Sequence, residues 1–100
     1  MPLNLTDECF HRQVLNNKKP VLVEFIADWC GTCHIMTPII EALEIEFIEQ
    51  VKFYKMDVDT NQKVINEYGI EDLPTLLFFK KGHYVGRIAK ALPKQIIKDT

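Results

Sequence analysis

The sequence predicts an α/β fold, a mixed central sheet of four to five strands with helices on both faces. Three features carry this. Val21 to Ala27 is seven residues with six apolar and no alternation, the pattern of a central strand covered on both faces. From Gly31 the apolar period lengthens to three or four, at Ile35/Met36, Ile39/Ile40, Leu43 and Phe47, as in an amphipathic helix. Near the end, two strand-like runs flank the turn signal Lys80-Lys81-Gly82-His83. Alternating strands and helices in the first half require parallel pairing through crossovers, and the closing hairpin adds an antiparallel pair.

Each element has its own local reason. Leu3 to Leu5 is a candidate edge strand. Thr6 followed by Asp7 and Glu8 predicts a helix start, a side-chain acceptor and then acids at the positive end of the dipole. Phe10, Val14 and Leu15 give that helix a narrow apolar stripe, and the run Asn16 to Pro20 stops it. The helix opening at Gly31 is expected to reach about Glu49, with Glu41, Glu44 and Glu49 largely off its apolar stripe and Pro38 bending it. Val51 to Val58 reads as a strand. Asp59-Thr60 is expected to cap a short helix that Gly69 ends. Thr75 to Phe79 is a second buried strand, Tyr84 to Ala89 its hairpin partner, and Pro93 opens a short terminal helix.

One hundred residues, 47% hydrophobic, suffice for one domain over residues 1–100 and are too few for two. A formal net charge of -2 gives no basis for binding nucleic acid or an anionic membrane. No apolar run approaches the ~20 residues that span a bilayer. The N-terminus lacks the basic and apolar segments of a signal peptide, so a complete cytoplasmic protein is expected; a mature exported protein given a start methionine would look the same.

Three cysteines are too few for a disulfide scaffold or a four-thiolate zinc site. Cys30 and Cys33 form a C-x-x-C pair where the buried strand runs into the helix, a redox signature in a βαβ setting. A helix N-terminus favours a thiolate at Cys30. Cys33, one turn later, can attack a mixed disulfide on Cys30, so the pair can carry two electrons reversibly. Cys9 stands apart as a small residue of the first helix's apolar face. His11 and His83 are expected to be solvated.

With these residues in place the chain resembles the thioredoxin family over nearly its whole length. The matching stretches are NLTDECF, PVLVEF, DWCGTC, Met36 to Ile40, KMDVD, YGI, LPTLLFFKKG and Ala91-Leu92. The resemblance implies a thioredoxin fold and a thiol-disulfide oxidoreductase that reduces protein disulfides through Cys30 and Cys33. It implies a cis proline at Pro74 facing the pair, and a buried acid and lysine beneath it at Glu24 and Lys55. Glu24 shares a strand face with Leu22 and Ile26, so a charge there is costly without a partner or a task. By the resemblance, Glu24 exchanges a proton with Cys33 and Lys55 is its electrostatic partner. A partner protein would dock along Trp29, Gly31, Thr32, Leu73 and Pro74. A flavoprotein reductase using NADPH, a thioredoxin reductase, would restore the dithiol. The chain is expected to bind no cofactor or metal and to act as a monomer.

Departures from the family pattern bear on poise and partners. The usual WCGPCK is here WCGTCH, with Thr32 for proline and His34 for lysine. Glu24 is one methylene longer than the usual aspartate, and Ile26 replaces a common aromatic. Asp72 and Lys90 stand where glycines usually leave a flat apolar docking surface. Thr32 and His34 are therefore expected to alter redox poise, about 30 mV corresponding to ~1.4 kcal/mol for a two-electron couple. The sequence does not set the sign.

Three other readings compete. C-x-x-C-H is also the c-type haem attachment string, with His34 as axial ligand, but no export signal is present and the helix is too regular. A zinc site from Cys30, Cys33 and a histidine lacks further ligands. A peptide-binding module with little turnover suits Asp72 and Lys90, whereas the intact pair with Glu24 argues for turnover. Among enzymes the alternative is a disulfide oxidase or isomerase, because direction depends on potential and compartment together.

Overall fold

The computed structural model describes residues 2–89 and residue 97. β1 (Leu3–Asn4) leads to α1 (Asp7–Phe10), which continues as a π-helical segment over His11–Leu15. β2 (Val21–Ile26), α2 (Gly31–Glu46), β3 (Lys52–Asp57), α3 (Gln62–Tyr68), β4 (Thr75–Lys80) and β5 (His83–Ile88) follow. The strands form one sheet in the order β1-β3-β2-β4-β5. β3 is parallel to both β1 and β2, and β4 is antiparallel to β2 and β5. No helix among the described residues is long and apolar enough to cross a membrane.

β2 is the middle of this sheet and is buried on both faces. Val21, Val23 and Phe25 pack on one side with Phe10 and Val14 of the first helical segment and Val64 of α3. Leu22 packs on the other with Met36, Ile40 and Leu43 of α2. Burying a Val, Leu or Phe side chain contributes roughly 1.5–3 kcal/mol, so the two faces together fix the register of β2. The hairpin turn takes positive φ at Lys81 and Gly82, 52° and 81°. A Cβ on Gly82 would also run into the Leu15 carbonyl, so that corner needs glycine.

The helix starts differ from the sequence expectation. Thr6 makes no side-chain cap; the Asp7 N–H is instead bound by Asn61 Oδ1 at 2.9 Å. Asp59-Thr60 does not cap α3 either. Asn61 holds the N-cap position, and the Asp7 carboxylate accepts the Lys63 and Val64 N–H groups at 3.1 and 3.0 Å. Each helix is thus capped by a side chain from the start of the other. α2 ends at Glu46 rather than Glu49, with Phe47 N–H closing on the Leu43 carbonyl, and it runs through Pro38 without interruption. Gly69 ends α3 in the left-handed conformation, as expected. Of the terminal helix expected after Pro93, only Ile97 is among the described residues, and it is buried beside Leu22 and Phe53; Pro93, Ala91-Leu92 and Lys90 lie outside them.

Asp7→Ala is expected to cost about 1–2 kcal/mol in urea unfolding, the range for a lost helix cap, whereas Thr6→Ala stays within ~0.5 kcal/mol. Equal losses in the two variants would contradict the reciprocal cap.

Candidate functional site

β2 ends at Ile26, and the short connection to α2 brings Cys30 to the N-cap position of that helix. Its extended backbone, φ -90° and ψ 106°, turns Sγ toward the helix end, where Sγ accepts the Cys33 N–H at 3.2 Å. Cys30 and Cys33 are joined as a disulfide across a Cα–Cα distance of 5.3 Å. Both are buried, in a small cluster with Ala27, against which Ile26, Val58 and Leu73 pack. A sulfur at this place meets an N–H donor and the positive end of a sixteen-residue helix. Both favour a thiolate once the pair is reduced.

Glu24 lies on the same face of β2 as Leu22 and Ile26, between the α2-facing core and the cysteine cluster. Its ladder neighbours are Lys55 on β3 and Leu76 on β4. It is 3% exposed, and its Oε2 has no hydrogen-bond partner among the described residues. Its pKa is raised from 4.5 to about 7: loss of water favours the neutral acid, Lys55 partly opposes this, and Glu41 adds to it. Glu41 was expected to stand largely off the apolar stripe of α2. It is half-buried, four residues after Thr37, which is itself four after Cys33, and its charge is felt at Glu24. That spacing was the signal that could have found it.

The groups expected to meet a partner surround the pair on one side. Leu73–Pro74 is a cis peptide, Pro74 is buried, and Leu73 packs against the cysteines. The Thr32 hydroxyl donates to the Leu73 carbonyl at 3.3 Å and lies 3.3 Å from Cys30 Sγ. Gly31 is exposed and has open space where a side chain would be. Trp29 is 69% exposed, its indole N–H held by Asp59 Oδ2 at 3.0 Å, and it lines a shallow hollow with Ile70, Glu71 and Leu73. The sequence read Asp59 as part of a helix cap and gave no signal of its contact with Trp29, which spans thirty residues. Ile35, 62% exposed on the first turns of α2, was assigned to the helix stripe and is instead surface.

Two residues singled out in the sequence have local partners of their own. His34 Nε2 lies 2.9 Å from the Asp28 carbonyl, an acceptor, so the proton sits on Nε2. Asp72 is exposed and its carbonyl accepts the Thr75 hydroxyl. Cys9 is half-buried against the α1-side core, with an Arg12 guanidinium N–H on its sulfur at 3.6 Å.

Comparison with known proteins agrees with this geometry. A family model described as Thioredoxin matches residues 1–100. The thioredoxin of Porphyra purpurea is 40% identical over 96 residues, covering 96% of this chain and 90% of the relative. Thioredoxin 1 of Synechococcus elongatus is 38% identical over the same length with the same coverage. The thioredoxin of Rickettsia felis is 45% identical over 82 residues, 82% of this chain and 78% of its own. A dithiol at a helix N-terminus that closes into a disulfide, in a chain that the family model matches from end to end, places this protein: it belongs to the thioredoxin family and is a dithiol–disulfide oxidoreductase.

Proposed function

We propose that the protein works in the reducing direction, delivering two electrons to disulfides of other proteins. The observation that carries this is the match to thioredoxins over the whole chain; Cys30 at the N-cap of α2, with the Cys33 N–H on its sulfur, supplies the nucleophilic thiolate that exchange needs in either direction. Cys30 thiolate attacks one sulfur of a partner disulfide; a bond forms between them, and the other partner sulfur leaves as thiolate. Cys33 then gives its proton to Glu24 and attacks Cys30 Sγ. The Cys30–Cys33 bond forms, the mixed disulfide breaks, and the second partner sulfur leaves. The partner has gained two electrons and this chain has lost two.

Glu24 suits the proton step because a pKa of about 7 leaves both of its forms populated at neutral pH. Lys55 keeps that value from rising further, so it tunes the acid rather than touching the sulfur. Thr32 and His34 belong to the same tuning, with His34 acting through the Asp28 carbonyl ahead of Cys30. A partner would lie along Trp29, Gly31, Thr32, Leu73 and Pro74, with the chain acting as a monomer. An NADPH-dependent thioredoxin reductase is the fitting source of electrons, making the chain a link in electron transport, and a reducing compartment such as the cytoplasm is where this direction runs. The oxidase or isomerase reading draws on one contact, the Thr32 hydroxyl near Cys30 Sγ, which would stabilise the reduced pair.

With dithiothreitol as electron source the wild-type chain is expected to reduce insulin disulfides catalytically. Cys33→Ser should stop after one step with insulin held on Cys30, visible by mass spectrometry. A folded, reduced wild-type chain with no insulin activity would leave a binding module. The resolving step is expected to quicken as pH rises through about 7, where Glu24 becomes a base. In Glu24→Gln it should slow about 10²-fold or more and lose that inflection; an unchanged profile in stopped-flow would remove Glu24 from the mechanism.

A further inference from the structure

The Thr32 side chain stands between two acceptors that change rank with the state of the cysteines. Its oxygen is 3.3 Å from the Leu73 carbonyl oxygen and 3.3 Å from Cys30 Sγ. A hydroxyl has one hydrogen, so it donates to one of them at a time. In the disulfide, Sγ is a neutral divalent sulfur and a weak acceptor; the carbonyl is the better one. Reduction by an external dithiol opens the sulfur–sulfur bond, the donor becomes a disulfide, and its two hydrogens leave one proton on Cys33 and one in solvent. Cys30 is then a thiolate, and hydrogen bonds to an ionised acceptor are roughly twice as strong as those to a neutral one.

We infer that Thr32 is a redox-dependent positioning residue: its hydroxyl holds the Leu73 carbonyl while the disulfide is closed and turns to the Cys30 thiolate when the pair is reduced, leaving both lone pairs of that carbonyl open to a partner's backbone N–H. In the disulfide form both acceptors lie at the same distance from one oxygen, so a turn of the O–H hydrogen suffices for the switch. The thiolate then has two donors, Cys33 N–H and Thr32 O–H. The Leu73 carbonyl is well placed for a partner: its residue packs on the cysteines, lines the hollow beside Trp29, and precedes Pro74 at the start of β4. A partner's extended chain bringing a disulfide to Cys30 passes over it, and main-chain hydrogen bonds of this kind hold extended peptides. Docking is thereby strongest in the form able to attack, and weakens after turnover when the hydroxyl returns to Leu73. The inference rests on the disulfide-reducing reading above for its partner, and it adds the sign that the sequence left open: a donor to the thiolate favours the reduced pair and makes the couple less reducing than it would be without the hydroxyl.

Thr32→Val keeps the shape and removes the hydroxyl; Thr32→Ser keeps the hydroxyl. In glutathione buffers the valine variant is expected to shift about tenfold toward the disulfide, about 30 mV more negative, while the serine variant stays within about twofold of wild type. The ¹³C carbonyl resonance of Leu73 should move on reduction in wild type and in the serine variant and stay fixed in the valine variant. An unmoved potential in Thr32→Val, or a Leu73 resonance that moves equally in all three proteins, would overturn the proposal. Wild-type protein that fails to reduce insulin would count against the reading of the site, not the hydroxyl, whose two readouts need no turnover.

Discussion

Burial of β2 on both faces is the constraint on which the rest of this structure depends. A strand so placed needs a neighbour on each side and a helical layer above and below. β3, β4, α2 and the α1/α3 pair supply them. The strand then has one exit, at its C-terminal end, and the chain leaving there enters α2 within five residues. Cys30 falls at that junction. The reactive sulfur is therefore positioned by the core itself, through the direction of one buried strand and the start of one long helix.

Against this apolar strand stands a single carboxylate. Raising the Glu24 pKa from 4.5 to about 7 means that its folded surroundings, burial above all, disfavour its charge by a net of about 3 kcal/mol. The sign follows from linkage. The unfolded chain loses this proton near 4.5 and the folded chain near 7, so between those values the folded state binds the proton more tightly and stability falls as pH rises. Below 4.5 the group contributes nothing, and above about 7 its full cost is present. A residue that weakens the fold at neutral pH, with one oxygen unpartnered among the described residues, is the kind of group that the proposed proton transfer from Cys33 would use.

Features set by short-range pattern were legible in the sequence. The unalternating run at Val21–Ala27, the change of period at Gly31, the Gly69 stop and the Lys81-Gly82 turn each depend on adjacent residues, and each appears where expected. What escaped depends on contacts between distant parts of the chain. The caps of α1 and α3 are exchanged between Asp7 and residues 61–64, so the local signals at Thr6 and at Asp59-Thr60 pointed to the wrong acceptors. The Asp59 hold on Trp29 is of the same kind. Glu41 escaped for another reason: charge suggests solvent, yet its position on α2 brings it toward Glu24. At Thr32 the sequence showed only a departure from pattern; the two equal distances to Leu73 and Cys30 give it a direction.

The proposed direction of this dithiol, toward reduction of its partners, sets the range in which its potential must lie. The most direct test is the absolute reduction potential of the wild-type Cys30/Cys33 pair, equilibrated with glutathione. A dithiol that reduces protein disulfides is expected to show a value more negative than about -230 mV, toward the roughly -270 mV of reducing thioredoxins. A value of about -180 mV or above, in the range of oxidising and isomerising folding catalysts, would contradict it.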